Sequence, residues 1–68
     1  MKIEVGKTYI TRSGEVATIT HESHGGIFPF IGLLNGFKEE WKEDGGYYEE
    51  GNSRNDLVSE APTPITPS

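Results

Sequence analysis

The most metal-like cluster in the chain is the segment His21-Glu22-Ser23-His24. A zinc site of the zincin type requires histidines four positions apart on one helix, with a glutamate between them as general base. Here the histidines are three positions apart, the segment runs into Gly25-Gly26, and no third ligand is indicated. We interpret it as a solvated loop with two surface histidines, and we predict neither a metal nor a cofactor.

The segment Gly6-Lys7-Thr8 ends like a phosphate-binding loop. That motif needs another glycine five residues earlier, where this chain has Met1, and no strand precedes it. The chain also lacks a G-x-S-x-G elbow and has no cysteine to act as a nucleophile. The sequence therefore offers no centre for nucleotide hydrolysis or covalent catalysis.

Adjacent carboxylates occur at Glu39-Glu40, Glu43-Asp44 and Glu49-Glu50. Acid-base catalysis requires one carboxylate in a dry pocket that raises its pKa. Neighbouring carboxylates in turns are usually both solvated, and a domain this small has little room for a cleft that excludes water. We therefore predict that the protein is not an enzyme.

Residues 37–50 combine four aromatic side chains with six carboxylates. One explanation is that the aromatic residues complete the core, which we expect for Trp41 and one tyrosine. A short chain cannot easily bury all of them, so one or two should be exposed beside carboxylates. Such a surface suits a basic or arginine-containing peptide, through cation–π and charge-assisted contacts. This predicted acidic-aromatic face consists of Glu39, Glu40, Trp41, Glu43, Tyr47 and Tyr48.

The composition limits the other possibilities. The chain has 68 residues, eleven acidic and six basic side chains and a formal net charge of −5. Few and scattered basic residues argue against direct binding to nucleic acid, and an acidic surface favours a basic protein partner. We see no leader and no membrane-length apolar run, and the absence of cysteine fits a reducing compartment. We expect a protein of the cytoplasm, and the sequence leaves its oligomeric state open.

The main apolar run covers residues 27–34, and the rest of the chain must pack around it. A run this short predicts either a strand buried on both faces or a buried helical segment. Pro29 and Gly32 disfavour a helix, and Gly25-Gly26 and Asn35-Gly36 bound the run as turn signals. Because Pro29 cannot donate to a sheet, we predict a strand over residues 30–34.

Two further strands are predicted at residues 7–12 and 15–21, joined by Ser13-Gly14. A two-residue loop would set Ile10 opposite Ala17. A three-residue loop, with Gly14 left-handed, would set Ile10 opposite Val16. We favour the second register, because glycine readily supplies the positive φ of the bulge.

The remaining segments complete the predicted sheet. Residues 37–41 alternate like a half-buried strand, with a local helix as the alternative, and residues 44–46 form a turn. Residues 56–58 indicate a short closing strand, so we assign residues 1–60 to one domain. Residues 61–68 are rich in proline and predict a disordered tail. About five short strands with glycine-bearing turns predict an all-β fold, a small SH3-like five-stranded barrel.

A family resemblance covers most of the chain up to Glu60. The matching residues are Gly6-Lys7-x-Tyr9-x-Thr11-Arg12-x-Gly14, Pro29-x-x-Gly32, Trp41, Asp44-Gly45-x-Tyr47 and Asp56-Leu57-Val58. In these the chain resembles small uncharacterised proteins of tailed bacteriophages and prophages. The resemblance implies a phage-type origin and a compact β fold, and it supplies no catalytic residue.

These observations favour a non-catalytic, phage-type accessory protein that binds a host or phage protein through the acidic-aromatic face. One alternative is a nucleic-acid mimic that inhibits a host nucleic-acid-handling enzyme by charge alone. Another is a small virion or structural subunit, for which exposed strand edges would serve.

Overall fold

A computed structural model describes residues 1–61 as one antiparallel sheet of five strands. Residues 1–61 contain no helix, and therefore none that could cross a membrane. The all-β prediction and the number of strands are confirmed. The strands are β1 (Thr8–Thr11), β2 (Val16–Glu22), β3 (Phe30–Leu34), β4 (Phe37–Trp41) and β5 (Leu57–Glu60).

The strand order is β4-β3-β2-β1-β5, which leaves β4 and β5 at the two edges. The sheet is not closed into the barrel that the sequence predicts, because β4 ends at Trp41 and the chain turns away. Loop backbone then spans the gap: Leu57 donates its N–H to the Gly45 carbonyl at 2.8 Å. The two edges are thus bridged by a turn and not by a strand ladder.

The first hairpin has the favoured register. Ile10 lies opposite Val16, and Gly14 has a φ of +90°. The bond from Thr11 N–H to the Glu15 carbonyl closes the loop at 2.8 Å. The prediction of a three-residue loop with a left-handed glycine is confirmed.

The core lies on one face of the sheet only, which corrects the expectation that β3 is buried on both faces. Phe30 and Leu34 are each 5% exposed, whereas Leu33 on the other face is 45% exposed and Ile31 is half-buried. The sheet is a single layer curled around its inner face, so the outer face of β3 keeps contact with solvent. The buried hydrophobic cluster consists of Ile3, Tyr9, Ala17, Ile19, Phe30, Leu34, Trp41 and Leu57.

An irregularity in β2 helps the sheet to curl. The pairing of β2 with β3 shifts between Ile19 and His21, as at a β-bulge. Gly32 lies opposite Ile19 and is buried, and a Cβ atom there would overlap the carbonyl oxygen of Thr18. Only a residue without a side chain permits this close approach.

The last described residue, Ala61, belongs to the packed domain. Its side chain is 7% exposed, and its N–H donates to the Thr8 carbonyl at 2.9 Å. Ala61 is also the first residue of the predicted disordered tail, and here it is buried and hydrogen-bonded to β1. The remainder of the predicted disordered tail, residues 62–68, lies outside the described residues.

Candidate functional site

Trp41 is a core residue and not part of a contact surface. It ends β4 opposite Phe30 and has no exposed surface. Its indole Nε1 donates a hydrogen bond of 2.8 Å to the carbonyl of Asn55, which satisfies its one polar group. The expectation that Trp41 completes the core is confirmed, because alternation along β4 points this side chain inward. Its burial therefore removes Trp41 from the predicted acidic-aromatic face.

Tyr47 lies between the core and the surface. Its ring packs edge-on against Trp41, with 6.3 Å between the ring centroids. Its hydroxyl donates a hydrogen bond to Oε1 of Glu39 at 2.9 Å. The hydrogen bond to Glu39, with burial and the negative charge as further causes, raises the pKa of Tyr47 above its ordinary value of 10.0. The tyrosine thus holds the carboxylate in place and stays protonated over a wider pH range.

Tyr48 is the exposed tyrosine that the sequence predicts. Its side chain is 52% exposed, and its ring centroid lies 5.5 Å from that of Tyr47. The rings are tilted by 60°, as in favourable aromatic pairs. Phe37, at the start of β4, is exposed even more, at 72%.

A shallow depression beside these rings is lined by Phe28, Glu39, Glu40 and Tyr47. We call it the Tyr47 depression. Its volume of about 220 Å³ is below the range of roughly 300–1,000 Å³ typical of small-molecule sites. It suits one side chain of a partner better than a whole small molecule.

The structure does not bring Glu43 to this depression. Glu43 is exposed in the turn that follows β4, and it lines a separate groove with Met1 and Glu22. The change of direction after Trp41 separates Glu43 from Glu39 and Glu40. Of the predicted face, Glu39, Glu40 and Tyr47 share one depression, and Tyr48 joins them through its contact with Tyr47.

Within residues 1–61, the two carboxylates of the Tyr47 depression have no cationic partner. Among residues 1–61 there are four ion pairs, and their acidic members are Glu4, Glu60, Asp56 and Asp44. Within the same residues, Glu39 and Glu40 therefore form no ion pair. Their negative charge is available to attract a cationic group.

Asp56 positions this part of the chain, although its sequence context indicates only the start of a short strand. Its carboxylate accepts hydrogen bonds from the backbone N–H groups of Ser53 and Tyr47, both at 2.9 Å. It also accepts one from Nη2 of Arg12 at 3.2 Å. Burial acts to raise the pKa of Asp56, but these donors outweigh burial and lower it below its ordinary value of 3.8. The Ser-x-x-Asp spacing indicates a local turn, whereas nothing in the sequence links Asp56 to Arg12.

The two histidines lie at the surface. His21 is exposed near the end of β2, and His24 is exposed in the following loop. His21 Nδ1 lies 2.9 Å from the hydroxyl of Thr20. The described part of the chain brings no three histidine, cysteine or carboxylate side chains together as metal ligands.

Comparison of the chain with family models, curated proteins and solved structures gives no match. The site is therefore characterised by its own geometry. It combines the exposed Tyr48, which packs on the partly buried Tyr47, with two carboxylates that form no ion pair within residues 1–61. Chemically, this arrangement can stack on and hydrogen-bond a flat cation.

Proposed function

We propose that this protein is a non-catalytic, phage-type accessory protein that binds an arginine-containing segment of a host or phage protein in the host cytoplasm. The binding site is the Tyr47 depression together with Tyr48. One observation carries the proposal: Tyr48 is exposed and packs on Tyr47, whose hydroxyl holds the carboxylate of Glu39.

The chemistry of arginine matches these groups. A guanidinium is planar, weakly hydrated and always charged, so it can stack on a tyrosine ring while donating to a carboxylate. Glu39 has capacity for further hydrogen bonds after accepting the Tyr47 hydroxyl, since each carboxylate oxygen has two lone pairs. Because Glu39 is already oriented, less side-chain freedom is lost on binding.

The SH3-like class forms part of the proposal. The four strands β1 to β4 follow one another as a meander, and β5 returns beside β1. This order, together with the turn that bridges β4 and β5, supports a curled sheet of that class.

The binding proposal is tested by fluorescence anisotropy with a labelled peptide that carries several arginines. A peptide with citrulline at the same positions is the control, because it keeps the shape and removes the charge. We expect Tyr48→Ala to weaken arginine-peptide binding by about 30-fold, as loss of an anchor does. We expect Glu40→Gln to weaken binding and its salt dependence, whereas Glu22→Gln, an exposed change elsewhere, should have little effect.

The outcomes separate the rival functions. If the protein were a nucleic-acid mimic, charge alone would drive its binding to a basic partner. Glu40→Gln would then weaken that binding, and Tyr48→Ala would leave it unchanged. The proposal would be refuted if the arginine and citrulline peptides bound equally well. It would also be refuted if Tyr48→Ala and Glu40→Gln both bound the arginine peptide as tightly as wild type.

A further inference from the structure

Within the part of the chain that the structure describes, strand β4 has an unpaired edge. One side of β4 pairs with β3, and no other strand of residues 1–61 pairs with its other side. The two strands are joined by Asn35-Gly36, with φ values of +54° and +81°, as in a two-residue hairpin loop. Such a loop makes Leu34 and Phe37 a hydrogen-bonded pair, so the next outward-facing backbone groups belong to Lys38 and Glu40.

Both ends of this edge are closed by turns. The hairpin loop ends it before Phe37, and beyond Trp41 the Lys42 N–H already donates to the Gly46 carbonyl at 2.8 Å. Within residues 1–61, the backbone groups of Lys38 and Glu40 have no partner outside the strand ladder. The edge therefore offers two N–H and two C=O groups, enough for one short strand.

The side chains of the edge are complementary to a second copy of themselves in only one register. In a two-fold antiparallel pair centred on Glu39, Lys38 of each copy lies opposite Glu40 of the other copy. Centring the axis on Lys38 would put two lysines opposite each other. Centring it on Glu40 would put two glutamates opposite each other, and like charges in cross-strand positions are destabilising.

We propose that two copies of this protein associate through their β4 edges, in the antiparallel register centred on Glu39. The pairing joins the two sheets through about four backbone hydrogen bonds. It sets two Lys38–Glu40 pairs on the outer face. On the inner face it places Phe37, which is 72% exposed in one copy, opposite the Trp41 position of the other.

The same register contains one unfavourable contact. Glu39 of one copy lies opposite Glu39 of the other, at the axis, and their like charges oppose association. The contact is also short, below the roughly 1,200 Å² of stable interfaces, so the dimer should be weak and depend on concentration. Replacing Glu39 by glutamine should therefore strengthen it.

Sedimentation equilibrium from about 0.05 to 1 mM covers the affinity range expected for such a contact. We expect wild type to dimerise and Lys38→Glu or Glu40→Lys alone to weaken association at least about tenfold. The double variant Lys38→Glu with Glu40→Lys restores both pairs with exchanged signs, and it should associate like wild type. Arg54→Glu, an exposed residue, makes the same charge change as Lys38→Glu and should leave association unchanged. Circular dichroism checks that each variant is folded.

NMR spectroscopy tests the register of the two β4 strands directly. In ¹⁵N-labelled protein, dilution should shift the amide signals of Lys38 and Glu40 most, because these N–H groups gain or lose a partner. A wild type that stays monomeric over the whole range would overturn the proposal. So would single charge variants that associate like wild type, or a double variant that fails to recover.

Discussion

The Tyr47 hydroxyl donates a hydrogen bond of 2.9 Å to Oε1 of Glu39, and this contact links the loop after β4 to the strand itself. It is the point at which the core ends and the candidate binding surface begins. Trp41 supports Tyr47 from below, and Asp56 holds its backbone N–H. The position of the carboxylate is therefore set by the packing beneath it.

The first prediction concerns the titration of Tyr47. The Glu39 carboxylate raises the pKa of Tyr47, so Glu39→Gln should lower that pKa toward 10.0. The hydrogen bond to Glu39 therefore stabilises the fold fully below pH 10.0, and this stabilisation is lost as pH rises through the higher pKa of Tyr47 in the folded state. NMR titration of the ring carbons would resolve the three tyrosines, Tyr9, Tyr47 and Tyr48, from one another. Glu50→Gln is the control, and an unchanged Tyr47 pKa in Glu39→Gln would contradict the hydrogen bond.

The second prediction concerns acid stability. The pKa of Asp56 is lowered by the N–H groups of Ser53 and Tyr47 and by Arg12, despite its burial. Asp56 therefore stabilises the fold above pH 3.8, and this contribution is lost as pH falls through the lower folded pKa. Asp56→Asn should cost about 1–3 kcal/mol near neutral pH, because buried donors lose a charged acceptor.

Thermal unfolding of wild type and Asp56→Asn between about pH 2 and 7 measures this effect. The difference in free energy of unfolding should narrow at the acid end. Asp44→Asn, at an exposed turn position, serves as the control. A difference that does not change with pH would mean that the charge of Asp56 plays no part.

The third prediction compares two neighbouring leucines on opposite faces of β3. Leu34→Ala should cost about 2–5 kcal/mol, because its side chain is 5% exposed. Leu33→Ala should cost less than about 1 kcal/mol, because its side chain is 45% exposed and leaves no cavity. Urea unfolding of the two variants provides the measurement, and equal losses would show that the outer face of β3 is covered.

The fourth prediction concerns Gly32. Gly32→Ala should destabilise the domain by about 1–3 kcal/mol or more, because the new methyl group meets the Thr18 carbonyl, which cannot move without disturbing the sheet. Gly46→Ala is the matched control, since its new Cβ would meet the flexible end of the Lys42 side chain. Unfolding curves in which both changes cost the same would argue against the close approach at the bulge.

Local chemistry was sufficient to predict the strands and their turns. Gly14 adopts the positive φ expected from its place in the first hairpin, and the register of Ile10 with Val16 follows from it. The strand over residues 30–34 is likewise confirmed, because Pro29 and Asn35-Gly36 bound it. Such features depend on backbone preferences within a few residues, which the sequence contains directly.

The candidate site could be predicted only in part. Alternation along residues 37–41 places Glu39 and Trp41 on one face, but it does not say how far the core extends along that face. Trp41 is covered and Glu39 lies at the margin, because the loop bearing Tyr47 packs over the end of β4. Tyr48 is exposed because the adjacent Tyr47 takes the inward position against Trp41.

Tertiary structure alone decided which face of β3 is covered and which distant groups meet. The apolar run at residues 27–34 shows that a strand forms, and it does not show whether a second layer exists to cover Leu33. The bond between Arg12 and Asp56 joins positions 44 residues apart. No local pattern encodes such a pair, because it exists only once the sheet has curled and brought β5 beside β1.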